Sequence, residues 1–204
     1  MIEILTSPRL FFDRFAKRKP SPLRGFLVAM TAMILLMTAK WLALRTVPGA
    51  AGFALRLPAW LVVPSAGIFG ALFIWGALTF GLVPVLGDSS RTAETVGWSF
   101  APWVMAGILQ SAVASWRPAH VQLIPRPQGV LDRFVWAAKM QTAAQKTLTF
   151  RVFTALELAA LLWGAYLLFL ALRAWKPRRA TVATAAYLTL MAGFWLLRNM
   201  PSLR

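Results

Sequence analysis

The sequence predicts an all-α, polytopic membrane helix bundle of about five transmembrane helices, led by a short N-terminal interfacial amphipathic helix. Three observations carry that expectation. Hydrophobic residues make up 59% of the 204 residues and charged ones only 14%, with a mean hydropathy of +0.64. A soluble domain carries about a quarter charged residues, so too few remain here to cover a water-facing surface. The apolar residues fall in runs of about 20, the length that crosses a hydrocarbon core. The 22 Lys and Arg, against 6 Asp and Glu, lie almost entirely between those runs, where juxtamembrane cations meet anionic lipid headgroups.

The same distribution narrows the function classes. A nucleic-acid binder gathers its basic residues on one folded soluble face. These do not gather so, and the net charge of +16 therefore points to the lipid bilayer and not to nucleic acid. Cysteine is absent, which removes disulfides and thiolate metal sites. The single histidine, His120, stands in a polar loop between Pro118 and Pro125 and reads as an exposed imidazole. No metal or cofactor is expected.

Residues 1–24 form a basic tail ahead of a membrane domain over residues 25–204. Ser7 followed by Pro8 is a helix start, since serine caps free N–H groups and proline suits the first helical position. Leu10, Phe11, Phe12 and Phe15 then share one broad face, flanked by Arg9, Asp13, Arg14, Lys17 and Arg18, and Pro20 and Pro22 end the segment. Two placements fit this helix: in the membrane interface, or packed against the bundle.

The first span is 25–44, with Lys40 near its far end able to snorkel to the interface. Val47-Pro48-Gly49-Ala50 offers small residues for a signal-peptide cut, but the long tail and long apolar run favour a retained span. The second span, 57–86, contains Pro64, Gly67, Gly70, Gly76, Gly81 and Pro84. Its small-residue pairs Ala66/Gly70 and Ala77/Gly81 admit a neighbouring helix. It is long for one straight crossing and short for two, which leaves a tilted or kinked span and a re-entrant hairpin both open. A polar turn from Gly87 to Glu94 leads into the third span, 96–116. There Pro102 falls early, where its missing N–H costs little, and Trp98, Trp103 and Trp116 fit interfacial anchoring. The connection 117–151 holds six basic residues. Within it, Leu131, Phe134, Val135 and Ala138 share helical spacing, as a second interfacial helix or as the beginning of the fourth span, 152–175. A basic turn from Lys176 to Arg179 precedes the fifth span, 180–197.

Loop charge orients membrane proteins. Five crossings put 11 basic residues on one side and 10 on the other, whereas a re-entrant second segment divides them 14 to 7. The uncharged run from Arg56 to Asp88 favours five.

Catalytic patterns are missing: no phosphate loop with its following lysine, no His-Glu metal motif, no nucleophile elbow. Glu157 stands out among the six carboxylates because it lies about one and a half turns inside the fourth span, and an intramembrane ionisable residue is a functional candidate by default. Its structural reading is an interfacial carboxylate reaching Arg151 or another basic loop side chain, or one hydrogen-bonded between helices. Gln110 in the third span reads as an interhelical hydrogen-bonding residue. Met30, Met33 and Met37 share a face of the first span and read as packing, since thioethers alone are weak evidence for a metal.

The order of short motifs is itself informative. Ser7-Pro8-Arg9-Leu10-Phe11-Phe12, then Gly87-Asp88-Ser89-Ser90, then Gly97-Trp98-Ser99-Phe100-Ala101-Pro102, resembles the bacterial branch of the Yip-one domain family, with Trp98 where a tyrosine is usual. The resemblance implies a five-span protein of the bacterial cell membrane with a cytoplasmic N-terminus, and makes Ser7, Pro8, Phe11, Phe12, Gly87, Ser89, Trp98 and Pro102 its motif positions. Eukaryotic relatives bind small Rab/Ypt GTPases, a role that this short tail does not carry over. The function expected is that of a non-enzymatic membrane-organising or adaptor protein that contacts lipid, another membrane protein or itself. The alternative is a small transporter or channel component using Glu157 and the broken second span.

Overall fold

The computed structural model describes residues 2–45, 47, 59–121 and 130–199. These form helices α1 (Ile2–Thr6), α2 (Pro8–Lys17), α3 (Pro22–Leu44), α4 (Ala59–Leu86), α5 (Ser89–Trp98), α6 (Ala101–Trp116), α7 (Val130–Gln145), α8 (Leu148–Trp175) and α9 (Ala180–Asn199), with a 3₁₀ turn at Pro177–Arg179 between the last two. No strand occurs among the described residues. Four stretches are long and apolar enough to cross a membrane: Pro22–Leu44, Leu61–Leu86, Ser89–Trp116 and Leu148–Trp175. The expected fifth span falls on α9, which packs on α8 and α4. The chain is thus an all-helical, multi-pass membrane bundle.

Helix α3 is the hub, packed against α4, α5 and α6, because glycines on its neighbours let their backbones approach. A Cβ on Gly67 would lie 2.7 Å from the Ile34 Cα, and one on Gly107 2.7 Å from the Leu35 Cβ. The close approach of α3 to α4 is therefore at Gly67; of the expected pairs, Gly70 faces Met33 of α3 and Gly81 faces Leu190 of α9, whereas Ala66 is exposed. The second segment is one continuous helix through Pro64 and Pro84, so the re-entrant hairpin is not formed.

The third span departs most from expectation. The stretch from Gly87 to Glu94 is not a turn throughout: only Gly87, with φ of +83°, and Asp88 connect the helices. The Asp88 side chain accepts the Arg91 N–H, nucleating α5 one turn early. Thr92, Ala93, Glu94, Thr95 and Val96 are all buried. Proline at position 102 has no N–H for the Trp98 carbonyl and its ring crowds that group, so the helix breaks at Ser99-Phe100 and restarts at Ala101. At the break the Ser99 hydroxyl donates to the Val96 carbonyl and meets the Tyr187 hydroxyl of α9 at 3.1 Å. Trp116 is 92% exposed, whereas Trp103 is 5% exposed and belongs to the core.

The connection after α6 contains a separate helix, α7, ahead of an α8 that starts at Leu148. Trp136, Met140 and Ala144 turn inward against Val47 and Ala119, so α7 caps the ends of α3 and α6. Val135, assigned to its apolar face from spacing, is exposed. The side chains of Leu131, Phe134 and Ala138, the start of the second span at 57 and the Pro48-Gly49-Ala50 site lie outside the described residues.

Candidate functional site

The tail is docked on the bundle. Phe12 and Phe15 are buried with Leu167, Leu170 and Ala171 of α8 and Ala101 of α6, while Leu10, Arg9, Asp13 and Arg14 stay exposed. Burying a side chain of this size is worth about 1.5–3 kcal/mol. Ser7 occupies the cap position before α2, but its side chain makes no capping hydrogen bond; Pro8 takes the first turn.

A polar knot locks this docking. Helices α3 and α5 cross where Gly97 meets the backbone of Gly25, so close that any Cβ on Gly97 would overlap it. That crossing sets the Glu94 side chain against the start of α3. Its Oε2 accepts the Ser21 N–H at 2.7 Å, and its Oε1 pairs with the Arg18 guanidinium at 2.8 Å. Glu94 is fully buried, whereas the Arg18 side chain is 34% exposed. A carboxylate at a helix N-terminus faces the positive end of the helix dipole, so Glu94 does for α3 what the unbonded Ser21 side chain does not.

One turn earlier on α5, Arg91 does the converse. Its guanidinium donates to the Ala16 and Arg18 carbonyls, at 2.8 and 2.9 Å, where α2 ends. Cations favour that negative end. Thus α5 presents opposite charges at i and i+3 to the opposite ends of two successive helices, across the Lys19-Pro20 break. Aromatic faces complete the knot: Arg18 lies 5.1 Å from the Phe15 ring centre and 6.0 Å from that of Trp98, and Arg91 lies 5.9 Å from those of Phe15 and Trp175, within cation–π range. Phe11 meets Trp98 edge-on at 5.0 Å. The Trp75 indole N–H ties α4 in through the Ala93 carbonyl.

The motif positions accordingly divide. Phe11 and Trp98 touch, and Phe12 lies in the same apolar cluster. Gly87 and Ser89 form the corner that starts α5, and Pro102 starts α6. Sequence reasoning missed Glu94 and Arg91, the charged centre of the knot; the available signal was Asp88-Ser89-Ser90, a helix start that makes Glu94 helical.

Gln110 and Glu157 form a second, separate group. Both are buried between α6 and α8; the Gln110 amide donates to the Phe153 carbonyl at 3.1 Å and lies 3.5 Å from Glu157 Oε1. The Gln110 contact gives Glu157 the interhelical setting that was one of its expected readings; Arg151 is exposed. No group of three or more His, Cys, Asp or Glu able to hold a metal occurs among the described residues.

A family model described as the Yip1 domain matches residues 2–197. No curated protein and no solved structure matches the chain.

Proposed function

The chain belongs to the Yip1 domain family, and from that premise we propose a non-enzymatic membrane-organising or adaptor protein. Its basic tail, residues 1–24, is held as a fixed contact surface on a five-crossing membrane domain, residues 25–204, with the N-terminus on the cytoplasmic side of a bacterial cell membrane. The supporting observation is the polar knot. Holding α2 rigid against α8 leaves Arg9, Arg14, Lys17, Lys19 and Arg24 exposed at the same end of the bundle as Arg173, Lys176, Arg178 and Arg179. A preorganised cationic surface of this kind suits anionic headgroups or an acidic face of another membrane protein, since less ordering entropy opposes binding.

The test is photo-crosslinking of the full chain in its membrane from positions 17 and 178. A discrete adduct, with a partner or a second copy, is expected from both; uncrosslinked monomer at every position would overturn the reading. The buried Gln110–Glu157 pair favours a second reading, a small transporter or channel component. A liposome flux assay of the wild type against Glu157→Gln tests it, and no flux in either sinks it.

A further inference from the structure

The bundle end opposite the tail carries a groove that the proposed contact surface does not use. Helix α7 spends one side on the core, through Trp136, Met140 and Ala144. Along another side, Val135, Lys139, Thr142 and Lys146 follow at spacings of four, three and four, and with Ala143 they line an open groove of about 400 Å³. Lys139 and Lys146 are exposed and neither belongs to an ion pair among the described residues. No acidic residue lines the groove.

From this arrangement we propose that the α7 groove is a binding site for a single anionic phospholipid, its phosphate held between Lys139 and Lys146. The depth is right for a headgroup. Lys146 stands two residues before α8, a candidate span, and the exposed Trp116 and Leu148 mark the same membrane boundary at the ends of α6 and α8. The chemistry is amphiphilic in the same sense as the ligand: Val135 and Ala143 give an apolar wall for the glycerol and upper acyl chain, and two ammonium groups give a cationic rim. The two lysines are separated by about 10 Å along the helix axis, so both flexible side chains converge on a phosphate placed between them, and lysine binds phosphate as a point charge without demanding one geometry. The proposal takes from the functional reading only that the protein sits in a lipid bilayer.

The test is native mass spectrometry of the full chain released from nanodiscs of mixed phosphatidylglycerol and phosphatidylcholine. Each basic residue near an anionic surface is worth about fivefold in affinity. Wild type is expected to retain one phosphatidylglycerol in preference to phosphatidylcholine, and K139Q/K146Q to weaken that retention roughly 25-fold. Ala143→Trp, which fills the groove at unchanged charge, is expected to lose it too. R117Q/R151Q, an equal charge loss at the same end but outside the groove, is expected to stay within about twofold. Retention by K139Q/K146Q within about twofold of wild type, an equal loss in R117Q/R151Q, or displacement by soluble glycerol phosphate at lipid concentrations would each overturn the proposal. Crosslinking from position 17 separates the two ideas: an unchanged adduct in K139Q/K146Q with lost lipid supports both, whereas lipid kept by wild type and lost in K139Q/K146Q, with no adduct at either tail-end position, rejects the adaptor reading alone.

Discussion

Glu94→Gln keeps the shape of the side chain at the centre of the knot and removes its charge. Two contacts change: the 2.8 Å pair with Arg18 and the 2.7 Å bond from the Ser21 N–H. The amide oxygen still accepts one of them, now as a neutral bond worth about 1 kcal/mol where a charge-assisted one is worth about 1.5–3. Removing one member of a buried pair costs about 3–5 kcal/mol when the survivor is trapped without water. Arg18 is not trapped, being 34% exposed, so the expected loss falls near 2 kcal/mol, roughly a 30-fold increase in tail opening. Arg18→Ala should be the worse change, because it strands a carboxylate that has no exposed surface, and about 3–5 kcal/mol then applies.

Amide hydrogen exchange over residues 9–18, in detergent micelles, reads the opening directly. The expected pattern is acceleration confined to α2, larger for Arg18→Ala than for Glu94→Gln. The double substitution Arg18→Met with Glu94→Leu should recover much of the loss, since no charge is then left buried, and the cycle should report a coupling of about 2 kcal/mol. Tail amides within about threefold of wild type in both single variants, or equal acceleration in the core of α8, would refute the reasoning.

Three further outcomes follow from the packing. Gly97→Ala should destabilise the bundle by at least about 1–3 kcal/mol through overpacking at the Gly25 crossing, whereas Gly76→Ala, with nothing near its Cβ position, should leave the melting temperature in detergent unchanged or higher; equal effects would count against the crossing. Phe12→Ala should loosen the tail by about 3–5 kcal/mol, while Leu10→Ala, at a site 58% exposed, should change stability by under about 0.5 kcal/mol, both read by thermal denaturation and tryptic cleavage of the tail. In the cysteine-free background, single cysteines at Ser21, Ser90 and Arg178 should react with an impermeant maleimide from one side of the membrane and those at Ser115 and Lys146 from the other; any mixing of the two sets contradicts five crossings.

Membrane class and helix positions were legible because the bilayer leaves the sequence little choice. Unpaired backbone groups are so costly in hydrocarbon that a long apolar run must be helical, and α3, α4 and α8 lie close to the expected spans for that reason. Helix faces were harder. In a soluble helix the polar side marks the exterior, but a lipid-facing side is as apolar as a core-facing one, which is why Phe73 and Phe80 of α4 are exposed while Leu78 and Leu82 are buried. The signal that survives is steric: Gly25, Gly67, Gly97 and Gly107 mark where backbones meet. Spacing alone favoured the pairs Ala66/Gly70 and Ala77/Gly81 and passed over Gly67, because it cannot tell a glycine that is required from an alanine that is merely small.

The tail posed the opposite difficulty. Its docking depends on residues far apart in the chain, and each half of the knot reads as something else locally: Arg18 as one more tail cation, Glu94 as the last residue of a polar turn. Only the Asp88 cap, by starting α5 before Arg91, brings Arg91 and Glu94 onto one turn of helix; only the Gly25–Gly97 crossing then sets that turn against the α2–α3 break. A polar turn before an apolar run is therefore ambiguous in a membrane sequence. Where it opens with Asp-Ser-Ser and carries Arg and Glu three apart, the charges can serve the ends of other helices, and here that pairing, more than the aromatic face of the tail, explains why a cationic helix lies fixed on an apolar bundle.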